Sequence, residues 1–384
     1  MKIGILGFTV THENMGCQAL TCAFLEMLRN TIPDIPKHIV VFRNDQTLGY
    51  IPELFPEMSF SLVPTTFHDI KLRMINEIRS CDVVFDETFG DGFSDIYFTK
   101  SVYRDTLIKL VAACSKCKFV LTPQTYGPFK SKKLEWLAGK AISKADKVYA
   151  RDKMSADYAH KISGTDVITV TDLAFSLPFN KSLSDSDKKR FGLNISGLLW
   201  KGGFSSDNQF GLLTNYRDYC DKLIEELGNQ GMEIHLIPHV TYSLDNKNEI
   251  PDGDYPYCQE LHEMHPETIL APNFRTPYDA KDYIASMDYF SGARMHSTIA
   301  AFSSDVVTIP FAYSRKFQGL YGNLHYPFIV DGTKLNTEDA IKLTLKYVSN
   351  KDELKQAQKR SFMDVEKNTS IFKKELECII QSLA

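Results

Sequence analysis

No stretch of the 384-residue sequence offers the ~20 consecutive apolar residues that a membrane-spanning helix needs. The opening MKIGILGFTV is apolar but short, and His12, Glu13 and Asn14 follow at once. It has no basic lead-in and no small-residue cleavage site, so no signal peptide is expected. Neither charge is in large excess. The formal net charge of -4 gives no general attraction to nucleic acid or to an anionic membrane, so a bound anion needs a local group of cations. The eight cysteines, Cys17, Cys22, Cys81, Cys114, Cys117, Cys220, Cys258 and Cys378, are scattered. They read as reduced, intracellular thiols. Cys114-x-x-Cys117 lacks the second pair that zinc requires and reads as small hydrophobes packing a helix end. G-x-x-x-x-G-K-[ST], H-E-x-x-H and G-x-S-x-G are all missing, and the first turn has one glycine where a dinucleotide fingerprint needs three. A P-loop is thereby excluded and NAD binding is not expected. A cytoplasmic location is expected, with docking at the cytoplasmic face of the inner membrane left open.

What is present is a repeated alternation of apolar runs and amphipathic segments. Lys2–Val10 reads as a strand buried on both faces, Thr11–Gly16 as a turn and Cys17–Asn30 as a helix, the opening of a doubly wound sheet. Strands follow at Ile39–Phe42, Asp82–Asp86, Lys118–Thr122, Lys147–Ala150 and Val167–Val170. Helices are expected at Ile70–Ser80, Thr106–Cys114, Leu134–Ser143 and Ala156–Ile162, the last capped by Ser155. The polar Asn180–Arg190 interrupts the pattern as a linker. A second series has strands at Gly197–Trp200, Glu233–Pro238, Tyr289–Ser291 and Val306–Pro310, and helices at Tyr216–Gly228, Lys281–Ser286 and Ser297–Phe302. The expected class is α/β, with two Rossmann-like domains facing a cleft. Residues 1–180 would form the first domain, 181–196 the linker, 197–336 the second domain, and 337–384 helices with the option of crossing back.

Ligands of such sheets bind beyond the carboxyl ends of the strands. Polar residues just after strands are therefore the candidates. In Gly292-Ala293-Arg294-Met295-His296-Ser297, Arg294 and His296 are expected in extended backbone with both side chains on one side. Arg294 suits a phosphate or carboxylate, Ser297 opens a helix whose free N–H groups favour an anion, and His296 would supply a proton donor. A surface Arg–Asp pair with a capping histidine is the alternative. Arg151, in Tyr149-Ala150-Arg151-Asp152, is a second candidate cation, or one half of a turn-closing salt bridge. Asp86, Glu87, Asp91 and Asp95 surround Gly90 and Gly92. They suit sugar hydroxyls or a divalent metal, or form a tight turn with solvated carboxylates. Gln124 stands in a proline-bracketed loop, Thr122–Phe129. His235 and His239 flank Pro238, and a metal would need a third ligand that the sequence does not identify. Lys130–Lys133 reads as a solvated charged turn, with a membrane-facing patch as the alternative.

In order, these pieces resemble the polysaccharide pyruvyl transferase family. They are Asn14 and Gly16 before Ala19-Leu20, Gly90-Asp91-Gly92, and Pro123-Gln124-Thr125-Tyr126-Gly127-Pro128-Phe129. Ala150-Arg151-Asp152, Asp172-Leu173-Ala174-Phe175, Gly292-Ala293-Arg294-Met295-His296, Pro310, and Tyr313 with Lys316 complete the set. The resemblance implies a glycosyltransferase-B-like fold and transfer of pyruvate from phosphoenolpyruvate to a hexose unit as a cyclic ketal, with release of phosphate. It implies no required cofactor and no metal. His296 would be catalytic. Arg151, Arg294 and Lys316 would bind the donor, with Ser297 beside them. Loop placement, rather than the resemblance, puts His12, Asn14, Asp91 and Gln124 on the side of a sugar acceptor, which could be lipid-linked. Many members carry a glycine run where Glu87, Thr88 and Phe89 stand, and Gly-Asp where this chain has Gly16-Cys17. The competing expectations are a glycosyltransferase using a nucleotide sugar and a non-catalytic sugar- or anion-binding protein.

Overall fold

The computed structural model describes residues 1–383 apart from positions 10, 32, 34, 45–46, 66–71, 96–98, 182–186 and 242–252. Position 10 of the expected strand Lys2–Val10, positions 70–71 of the expected helix Ile70–Ser80 and 182–186 of the expected linker thus lie outside the described residues. The chain forms two compact units. Unit 1 comprises Met1–Thr11, Leu20–Leu173 and Glu366–Ala384; unit 2 comprises His12–Ala19 and Ala174–Val365.

Unit 1 is built on a parallel sheet, seven-stranded among the described residues. Its strands are β1 Lys2–Leu6, β2 Lys37–Phe42, β3 Met58–Val63, β4 Val83–Asp86, β5 Lys118–Gln124, β6 Lys147–Ala150 and β7 Ile168–Thr169, in the order β3-β2-β1-β4-β5-β6-β7. Ile3, Ile5, Val83, Val84 and Phe85 are fully buried, as continuous apolar runs covered on both faces should be. Connections leave β1 in one direction and β4 in the other, so the switch point lies between them, with Leu6 paired to Asp86. The final helix, Lys351–Gln381, contributes its later part to this unit. There Phe372 packs edge-on to Tyr149 at 5.0 Å, and Glu375 Oε2 accepts from Tyr149 Oη at 3.0 Å.

Unit 2 has a second parallel sheet, six-stranded among the described residues. Its strands are β8 Arg190–Asn194, β9 Glu233–Ile237, β10 Ile269–Leu270, β11 Tyr289–Gly292, β12 Val307–Ala312 and β13 Val330–Asp331, in the order β10-β9-β8-β11-β12-β13. Here the switch point lies between β8 and β11, where Asn194 pairs with Gly292. Among the described residues no helix is long and apolar enough to cross a membrane.

Several sequence expectations are corrected. Gly197–Trp200 is a helix rather than a strand, because Ser196 caps it by accepting from Leu199 N. The strand lies earlier, at Arg190–Asn194, inside the stretch assigned to the linker. The helix after β6 starts at Lys153, and its cap is Asp152, which accepts from Ser155 N at 2.7 Å, rather than Ser155. Strand β3 and the helix Tyr255–Met264 were not anticipated. Residues 12–19, expected within a first domain of 1–180, group with unit 2, and 366–384 group with unit 1.

Candidate functional site

Unit 2 gathers its polar residues at the switch point. The helix Met295–Ser303 begins directly after β11, with Arg294 as its N-cap in extended backbone. His296 is therefore already helical, which corrects the expectation of extended backbone through the whole R-x-H segment. Ser297 is fully buried, and its hydroxyl donates to Arg294 O at 2.7 Å. It shapes the turn from inside, and a direct ligand contact by its hydroxyl would cost that bond. Arg294 N donates to Asn194 Oδ1 at 2.9 Å, which ties the ends of β8 and β11 together.

The group that organises this site is Asp254, which sequence reasoning missed. It is fully buried. Its Oδ1 accepts from Arg294 Nε at 3.1 Å, Arg294 Nη2 at 2.8 Å and Gly197 N at 2.9 Å. Its Oδ2 accepts from His239 N at 2.9 Å and Val240 N at 2.8 Å. One carboxylate thus fixes the guanidinium and the loops after β8 and β9. A buried arginine so held by a carboxylate is pre-oriented, and its planar guanidinium suits a phosphate or carboxylate.

The turn before the first helix joins this cluster. Met15 N donates to His239 O at 3.0 Å, and Thr241 N donates to Glu13 O at 2.9 Å. His12 Nδ1 accepts from Asn14 N at 2.9 Å, and Asn14 Oδ1 accepts from Gly16 N at 2.9 Å. Gly16 lies so close to His296 that a Cβ there would overlap the imidazole. Glycine is thus required by packing. His239 is buried, and burial, with His296 and Arg294 nearby, pushes its pKa down to about 3. It is a neutral imidazole at neutral pH. His235 is separate: its ring nitrogens meet Tyr283 Oη at 2.7 Å and Glu233 Oε1 at 3.0 Å, a structural pairing. Lys316 lies half-buried in the first turn of the helix Arg315–Asn323, after β12.

Unit 1 presents a different cluster at its own switch point. Asp86, at the end of β4, is fully buried and ion-paired with the buried Lys109 Nζ at 2.8 Å. Glu87 follows, 1% exposed, with neither carboxyl oxygen hydrogen-bonded among the described residues. Burial above all, then the charges of Asp172 and Asp86, raise its pKa well above the ordinary value, against the pull of Arg151. Thr88 and Phe89 both have positive φ, 46° and 56°, a backbone in which glycine is unstrained, so a glycine run would fit this turn. Arg151 Nη1 donates to Asp172 Oδ2 at 3.0 Å, and the charges of Asp91 and Asp152 act on it as well. Gln124 is fully buried, and its Nε2 donates to Asp86 O at 3.0 Å, so it ties β5 to β4. Asp91 is half-buried beside this cluster. Asp95 accepts from Lys130 N and Ser131 N at 2.7 and 2.8 Å and is a loop-building group.

Of the residues singled out in the sequence, unit 2 therefore gathers Asn14, Arg294, His296 and Ser297, and holds His12 and Lys316. Unit 1 holds Arg151, Asp91 and Gln124.

The family model described as polysaccharide pyruvyl transferase matches residues 14–315. No curated protein matches the sequence. Among solved structures, a Listeria monocytogenes protein assigned as a UDP-N-acetylglucosamine 2-epimerase aligns over 97% of this chain and 94% of its own, at 12% identity and a TM-score of 0.61. The Neisseria meningitidis UDP-GlcNAc 2-epimerase bound to UDP-GlcNAc aligns over 98% and 100%, at 10% identity and 0.58. Anabaena HepE, in complex with UDP and glucose, aligns over 98% and 100%, at 11% identity and 0.58. At these identities the likeness concerns the fold: two Rossmann-like domains of the glycosyltransferase-B type.

Proposed function

The chain belongs to the polysaccharide pyruvyl transferase family, and on that premise we propose that it transfers pyruvate from phosphoenolpyruvate to a hexose unit of a polysaccharide precursor. The product is a cyclic ketal, and phosphate is released. The observation that carries this reading is the buried Arg294, held by Asp254 at 2.8 Å at the β8/β11 switch point and followed by His296 at a helix N-terminus. Phosphoenolpyruvate presents a carboxylate and a phosphate on one small frame. A pre-oriented guanidinium suits either group in bidentate fashion, and the helix N-terminus adds favourable potential.

Ketal formation begins with a proton delivered to the methylene carbon, which leaves an oxocarbenium-like centre. One sugar hydroxyl attacks that centre and loses its proton. Phosphate then leaves, and a second hydroxyl closes the ring and loses its proton in turn. We assign His296 as the general acid or base of these steps, a role worth roughly 10²–10⁴-fold in rate. Lys316 is retained as a further donor cation, and Arg151 as one to be tested by its own alanine variant. His12 and Asp91, both half-buried, are proposed to meet acceptor hydroxyls. Asn14 and Gln124 act through the turns they build.

The test is inorganic phosphate release from phosphoenolpyruvate over a panel of hexose acceptors, free and lipid-linked. Acceptor-dependent release by the wild type, absent in His296→Ala while donor binding persists, is the expected result. The structural neighbours with UDP ligands define the alternative. Thermal stabilisation by a nucleotide sugar but not by phosphoenolpyruvate, with no phosphate release, would overturn the proposal.

A further inference from the structure

His239 is 3% exposed, and its Nδ1 is buried with no hydrogen-bond partner among the described residues. Burying a polar atom unsatisfied forfeits its hydration, so a buried polar atom without a partner calls for a reason. The backbone around it is unusually well determined. His239 N is held by Asp254 Oδ2, the same carboxylate that holds Arg294 through Oδ1. His239 O accepts from Met15 N, one residue before the glycine whose backbone lies against the His296 ring. His296 and Arg294 both act electrostatically on His239. Three chain segments therefore converge to place this imidazole beside the proposed donor site, yet one of its ring nitrogens has no partner among the described residues.

We propose that His239 is a further ligand-contact residue of this site, whose Nδ1 hydrogen-bonds an oxygen of the anion held by Arg294. The inference rests on the phosphoenolpyruvate reading given above. As a neutral imidazole, His239 can carry its proton on Nδ1 and donate it to a phosphate or carboxylate oxygen without adding a second full charge beside Arg294. No covalent step is involved: the ligand supplies the partner that Nδ1 lacks among the described residues. His239 thus differs from His296, which is proposed to move protons, and its loss should appear in binding rather than in the chemical step.

The experiment compares wild type, His239→Asn, His239→Gln and His239→Leu. The readouts are phosphoenolpyruvate binding by calorimetry and acceptor-dependent phosphate release, with thermal unfolding as the check on folding. Asn places its amide near the Nδ1 position, whereas Gln places it near Nε2. A hydrogen bond to a charged group predicts that His239→Leu and His239→Gln weaken phosphoenolpyruvate binding about 10–100-fold. KM should rise in parallel, with kcat little changed, and His239→Asn should recover most of the loss. Should His239→Leu not fold, the Asn–Gln pair carries the same comparison. If the wild type binds phosphoenolpyruvate and His239→Gln binds it equally well, the His239 assignment falls alone. If kcat collapses with KM unchanged, His239 is not a binding contact and the assignment also falls. If the wild type does not bind phosphoenolpyruvate, the donor reading falls and takes this inference with it.

Discussion

The two sheets carry their polar residues at corresponding switch points, yet they treat a buried arginine differently. In unit 2, Arg294 is held by Asp254, and the imidazole of His239 beside it is neutral. In unit 1, Arg151 is paired with Asp172 and feels Asp91 and Asp152 as well, while the adjacent Glu87 is pushed toward its protonated form. The first opens a helix N-terminus at the arginine, which favours an anion. The second is rich in carboxyl oxygens, the acceptors that sugar hydroxyls seek. Corresponding strand ends thus differ in what lies beside the arginine: a neutral imidazole in unit 2, several carboxylates in unit 1.

Breaking each pair sharpens the contrast most. Asp254→Ala would take a carboxylate away from a buried guanidinium and three backbone N–H donors, at an expected cost of about 3–5 kcal/mol in chemical denaturation. Asp172→Ala should cost distinctly less, because Glu87 can ionise beside Arg151 and replace the lost partner. Equal losses would contradict the role given to Glu87.

Gly16→Ala comes next. Its Cβ must displace His296, and a misplacement of that order predicts a loss of turnover of about 10²-fold. Stability should change far less. Normal turnover would place His296 outside the reaction.

The pH dependence separates the units more gently. The raised pKa of Glu87 means that the folded protein holds a proton the unfolded chain releases above about 4.5. Its contribution to stability is full below that pH and fades as pH rises through the folded value. His239 acts in the opposite sense. Its folded value of about 3 lies below the ordinary 6.5, so stability present above 6.5 is lost as pH falls toward 3. Glu87→Gln should therefore flatten the alkaline side of the stability profile alone, and His239→Asn the acid side alone. Loss of both slopes in either variant would show that the two groups are coupled.

Much of this was legible in the sequence because parallel strands covered on both faces are written as apolar runs. KIGIL, VVFD and KVYA were all recognised as strands from their residues, and the R-x-H segment was placed between a strand and a helix. The two-residue strands β10 and β13 are too short to show a period. Gly197–Trp200 misled because its apolar run fits a strand or a buried helix, and only the Ser196 cap decides. Asp254 had no local signature. It meets Arg294 from 40 residues away in sequence, so its importance emerges only when β8, β9 and β11 are brought together. The grouping of residues 12–19 with unit 2 is likewise tertiary, set by backbone bonds to residues 239–241.

The central claim is that unit 2 is the donor site and that Arg294 anchors it. Its most direct test is calorimetric titration of phosphoenolpyruvate into wild type and Arg294→Ala. The account predicts saturable binding by the wild type and a loss of about 1.5–3 kcal/mol or more in the variant. Equal affinity in both proteins would contradict it.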